Sequence, residues 1–240
     1  MGANVTTSNL NRRQFLKGAA IGSATIGVPF AAAAAVDDKK RFEENVVEPS
    51  AYLFLNLGEQ AFIEAVVDHM VPADQWSPNG TQMGIANFID RSLASGWGKG
   101  ERLYMQGPWK KGLPTQGYQL PLTPSQVYRT GITASNEYCM KHYQQHFAQL
   151  KANQKEEFLK GIQAGKITFS EALPSKTFFA LLYDNVVEGM FSDPVYGGNR
   201  NKAGWKILGF PGAIATNGRN VEIYFDKPFH APVFSIGDLA

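Results

Sequence analysis

A chain of 240 residues with 44% hydrophobic and 18% charged residues is long enough for one substantial core, and too apolar for an intrinsically disordered protein. Its net charge of +2 rests on the first 35 residues, where Arg12, Arg13 and Lys17 face no acid; the remainder carries 20 basic and 21 acidic residues, which argues against a nucleic-acid surface built on charge. A single cysteine, Cys139, excludes an internal disulfide and an iron–sulfur cluster.

The N-terminus reads as an export signal. Arg12, Arg13, Phe15, Leu16 and Lys17 follow the twin-arginine pattern, with Asn11 where serine is usual. A weakly apolar run rich in Ala and Gly follows from Ala19 to Ala35, about 17 residues and low in Leu, short for a membrane span. Small residues then precede Val36-Asp-Asp, so cleavage is expected near Ala35. The organisation is therefore a signal over residues 1–35 and one domain over 36–240, with no membrane helix in the mature chain. In an oxidising compartment a lone Cys139 points to an intermolecular bridge or a free thiol.

The body reads as helices joined by long loops. Phe62, Ile63, Val66, Val67 and Met70 recur at helical spacing and predict a helix over 57–71, with Asn56 and Glu59 as a capping box and Pro72 as the stop. A second helix is expected over 83–95, ended by Gly96. Residues 96–123 interleave glycines, prolines and aromatics, with at most a short helix over 101–105. The longest helix is expected over 124–150, starting at Pro124. Asn153 with Glu156 predicts a capped helix carrying Phe158, Leu159 and Ile162, stopped by Gly165. Ser175 opens a strongly apolar helix to Phe191, whose apolar residues spread around its circumference and predict the central buried helix. A glycine-rich loop with Tyr196 and Trp205 as aromatic anchors follows to Gly212. Residues 221–225 suggest a short strand, and 228–234 an extended aromatic tail lying on another surface. The class is mainly α: an irregular helical domain with Gly/Pro/aromatic-rich loops and little or no β.

Motifs for redox chemistry are missing. Gly197-Gly198 follows a helix and precedes a loop, the wrong context for dinucleotide binding. There is no Cys-x-x-Cys-His haem attachment and no Gly-x-Ser-x-Gly elbow. Cys139, His142 and His146 fall on neighbouring turns of the expected long helix, a spacing open to a zinc or copper site or to polar-face residues beside the core. Asp184 and Glu188, four apart, read as an acid pair or as partners of surface cations. Asp193 before Pro194 reads as a cap for the loop. Arg200 and Lys202 read as solvated loop charges or as contacts for a partner's carboxylates or an anionic substrate.

Asp193-Pro-Val-Tyr-Gly-Gly-Asn199, then Gly204-Trp205, then Gly209-Phe-Pro-Gly212 resembles the signature of gluconate 2-dehydrogenase subunit 3. The resemblance extends to residues 62–74 and 104–129, covering most of 10–215, and includes the twin-arginine start. It implies a non-catalytic small (gamma) subunit with no cofactor of its own, in a membrane-associated complex. The expected partners are a large subunit holding FAD and a multi-haem cytochrome c. The complex would oxidise D-gluconate to 2-dehydro-D-gluconate and pass electrons to quinone, and a related sugar, polyol or 2-ketogluconate dehydrogenase is the alternative. The small subunit would carry the export signal for the FAD subunit to the periplasmic face of the inner membrane and assist its maturation. Cys139 is the candidate for an inter-subunit disulfide implied by the family. Tyr196, Gly197, Gly198, Asn199, Gly204, Trp205, Pro211 and Gly212 are expected to form the face that meets the catalytic partner.

Overall fold

The computed structural model describes residues 51–110, 112–113, 115–213, 218–229 and 232–239. The export signal, with Arg12, Arg13, Phe15, Leu16 and Lys17, lies outside the described residues. Among the described residues seven α-helices and several short 3-10 turns form the regular structure, and the β content is one bridge, Gly212 to Phe234. The fold is mainly α, as expected. None of the described helices is long and apolar enough to cross a membrane.

Helix α1 (Leu57–Met70) begins at the predicted capping box. Asn56 Oδ1 accepts from the Gly58 and Glu59 amides, and the Asn56 amide donates to Glu59 Oε2, each at 3.0 Å. Phe62, Ile63, Val66 and Val67 are buried from this helix. Helix α2 (Ile85–Ala94) buries Ile85, Ala86, Ile89 and Leu93. It also buries Asp90, whose carboxylate accepts the Leu53, Phe54 and Leu55 amides at 2.7 to 2.9 Å. Three charge-assisted bonds offset the desolvation of that carboxylate and fasten the incoming chain to α2.

Helix α3 (Pro124–Tyr143) starts at the Thr123–Gln126 capping box but ends seven residues before the expected Leu150. Gln144 takes a left-handed conformation with φ 59°, and Phe147 enters the core through a 3-10 turn at Phe147–Gln149. The Phe147 amide donates to Asn136 Oδ1 at 3.1 Å in place of a helical bond. Its ring packs 4.9 Å from Phe62 and 5.5 Å from Phe158. Burying that ring against two others outweighs continuing a helix through the polar stretch 144–146.

Helix α4 (Ala152–Gln163) is opened by the Lys151 amide donating to Gln154 Oε1 at 3.0 Å, not by Asn153 and Glu156. Glu156 sits inside the helix and meets His69 Nε2 at 2.8 Å. Helix α5 (Ser175–Phe191) matches its predicted bounds and packs against α2, α3 and α4. Gly131 of α3 makes room for its Phe178, since a Cβ at that glycine would stand 2.2 Å from the ring. The buried Tyr128 hydroxyl donates to Asn185 Oδ1 at 2.7 Å, fixing α3 to α5. The expectation of a helix buried all round is corrected: Tyr183 and Val187 leave one face of α5 open. Two local expectations also fail. Residues 101–105 form turns, and residues 221–223 belong to helix α7 (Gly218–Ile223), not to a strand.

Candidate partner interface

The stretch after α5 is ordered by its own side chains. Asp193 is the cap that the sequence predicts: Oδ1 accepts the Val195 amide at 3.0 Å, opening a 3-10 turn over Pro194–Tyr196. Asn199 is fully buried with φ 46°, a left-handed conformation that asparagine tolerates better than most residues. Its Nδ2 donates to Ser192 O and its Oδ1 accepts the Gly204 amide, both at 2.8 Å. Helix α6 (Ala203–Leu208) then turns Trp205 back toward α5, where the indole Nε1–H donates to Phe191 O at 2.7 Å. Two carbonyls left open where α5 ends are thus satisfied from the loop.

The glycines serve close packing. A Cβ at Gly198 would lie 2.2 Å from Gly189 O, and one at Gly204 would lie 2.1 Å from Met190 O. Here loop backbone lies directly on helix backbone, and no side chain fits between. Gly212 combines φ 89° with an approach of 1.9 Å between its missing Cβ and Phe234 O. At that point the tail pairs with the loop: the Ala213 amide donates to Phe234 O at 2.8 Å, and the Phe234 amide to Pro211 O at 3.1 Å. The tail therefore lies on the chain's own loop.

A polar clamp holds the same two segments. The Ile236 amide donates to Asp193 Oδ2 at 2.8 Å. Lys202 Nζ donates to Val233 O at 3.0 Å and to Asp238 Oδ2, which also accepts the Ser235 amide at 2.7 Å. The Lys202 ammonium first, and the Ser235 amide second, hold the Asp238 carboxyl down at about 2, from an ordinary 3.8. A depressed acid contributes stability that is present above its unfolded pKa and lost as pH falls through the folded one. The clamp is thus intact above about pH 4 and opens as pH falls toward 2. Carbon-13 titration of the Asp238 carboxyl is expected to show a midpoint near 2. Lys202→Gln is expected to move it upward, and an ordinary midpoint in the unaltered chain would contradict the clamp.

This geometry sets most of the residues expected at the partner face inside the chain. Asn199 and Trp205 are buried within the chain, as are Gly198, Gly204 and Gly212. Pro211 and Gly197 are half-buried, and of the predicted set Tyr196 alone presents a large exposed side chain. The outward residues are ones the sequence reading did not single out: Val195, Ile207, Leu208, Phe210, Phe234 and Ile236, which with Tyr196 are 42–57% exposed. They lie on adjoining segments and are taken together as one apolar strip: the 194–196 turn packs against the turn at Ile236–Leu239, Phe234 bridges Gly212, and Phe210 stacks edge-on to Trp205 at 5.3 Å. A signal was present, since each lies within a few residues of a loop or tail anchor, but alternation cannot be scored in an irregular loop.

The other candidates are placed apart from this strip. Cys139 is wholly buried, and burial pushes its thiol up to about 12, so no surface exists at which a second chain's sulfur reaches it in this fold. His142 is exposed and stacks on Tyr138 with ring centres 4.0 Å apart, and His146 lies beyond the end of α3. Among the described residues no group of three His, Cys, Asp or Glu side chains is placed to hold a metal ion. Asp184 is exposed, and Glu188 accepts from Asn185 Nδ2 at 2.8 Å, so the two are not a buried acid pair.

A helical body whose most distinctive loop carries exposed apolar residues has the mark of a surface that meets another molecule. The sequence model of the family gluconate 2-dehydrogenase subunit 3 matches residues 58–212, well over half of the 240. The chain belongs to that family, and membership of a subunit family implies partner subunits of a dehydrogenase complex. No curated protein and no solved structure gave a significant match.

Proposed function

We propose that this chain is the non-catalytic small subunit of an FAD-dependent gluconate 2-dehydrogenase, and that it carries the FAD subunit through the twin-arginine pathway. FAD and haem c reside in the partner subunits, which oxidise the sugar acid and pass its electrons on toward quinone. The complex works at the periplasmic side of the inner membrane. The observation that carries the reading is the apolar strip from Val195 to Ile236, held in place by a loop inside the family match. Exposed apolar residues gathered on a rigid frame are what a standing subunit interface requires. The twin-arginine motif supplies the export half of the proposal.

Escort is tested by changing Arg12 and Arg13 to Lys in cells that make both subunits. The FAD subunit is expected to remain cytoplasmic, with periplasmic gluconate oxidation lost. An FAD subunit that still reaches the periplasm would overturn the escort role.

A further inference from the structure

Beside the apolar strip lie two guanidinium groups. Arg91, on α2, runs over Gly197: a Cβ at that glycine would stand 3.1 Å from Arg91 Cδ and 3.3 Å from its Nε and Nη1. Arg200 lies against Gly84, where a Cβ would meet Arg200 Nε at 2.8 Å and Gly197 O at 2.4 Å. The two side chains thus flank one backbone contact, Gly84 on Gly197. Arg200 is fixed there, its amide donating to Met83 O at 2.9 Å and its Nη2 to Asn87 Oδ1 at 2.6 Å. Asn87 is one helical turn before Arg91, so α2 sets the spacing of the pair. Among the described residues neither guanidinium is ion-paired with a carboxylate. Arg91 opposes the charge on Arg200, and an acid placed between the two relieves that repulsion by charge-assisted hydrogen bonds.

We infer that Arg91 and Arg200 together form a receptor for a carboxylate side chain of the partner subunit that covers the apolar strip. The site adjoins that strip directly, since Gly197 follows Tyr196 in the chain. Arg91 is exposed, so a small free acid bound there would stay in water, where an ion pair is worth little. A protein surface that covers Val195 and Tyr196 would also exclude water from the guanidiniums and strengthen the pairing. Burial disfavours the charge on Arg200, Tyr52 offsets part of that and Arg91 opposes the charge again, so an incoming carboxylate acts in the direction that restores it. The inference rests on the proposed partner, and adds where its acidic contact lies.

The test uses the co-purified complex, comparing Arg91→Gln, Arg200→Gln and the double variant with the unaltered chain. Each single change is expected to raise the dissociation constant about 10-fold and to flatten its dependence on salt. The double change is expected to add little beyond one, because both arginines share one acid. Unchanged affinity and salt dependence would overturn the inference. So would a raised KM for gluconate with unchanged association, since the carboxylate would then be the substrate's. A lower Tm of the isolated Arg91→Gln chain with unchanged association would also overturn it, assigning the acid to this chain. If Tyr196→Ser with Leu208→Ser weakens association while the arginine variants do not, the pairing falls and the partner face stands. If none of these variants weakens it, both fall.

Discussion

Trp205→Ala is expected to lower the unfolding free energy of the isolated chain by about 3 kcal/mol, the low end of what truncating a buried large aromatic costs. The residue is 5% exposed, so its indole contributes to this chain's own core. Three effects add. The ring leaves a cavity beside Phe210, its edge-on neighbour at 5.3 Å. Phe191 O loses its 2.7 Å donor at the end of α5, a carbonyl that no α-helical bond of α5 satisfies. Finally, α6 is only six residues long, and Trp205 is its central attachment to α5. Urea unfolding measures the change through the transition midpoint at constant slope. A loss below about 1 kcal/mol would mean that the indole is an interface group held loosely until a partner arrives.

The regular part of the fold was legible because its signals are local. Asn56 with Glu59 marks one helix start by side-chain reach and Pro124 marks another by its fixed φ, and α5 was read to its last residue. The end of α3 was not legible. Nothing near Gln144 breaks a helix, and the helix stops because Phe147 gains more in the core with Phe62 and Phe158. Asp90 was missed for a related reason. A carboxylate in an apolar helix face reads as an irregularity until the amides of residues 53–55 arrive from more than 30 positions away. In the candidate site the loop was found but the direction of its side chains was not. Glycine density marked residues 197–212 as a shaped loop, and Asp193 as its cap. Whether Trp205 or Leu208 faces outward depends on which one meets the end of α5, and that is a tertiary fact.

Tyr196→Ser combined with Leu208→Ser is expected to leave folding within about 0.5 kcal/mol, because both side chains are more than half exposed. The same pair is expected to weaken association far more. Anchors of this size at the centre of an interface each cost about 2 kcal/mol when truncated, so two lost together raise the dissociation constant about 10³-fold. Trp205→Ala is the contrasting change, destabilising the frame without removing an outward anchor. In the proposed complex the loop's inner residues hold the chain and its outer residues bind the FAD subunit. The direct measurement is the affinity of the purified FAD subunit for the folded Tyr196→Ser, Leu208→Ser chain. The expected result is a folded chain that no longer binds at concentrations where the unaltered subunit is saturated. A folded double variant that binds with unchanged affinity would contradict it.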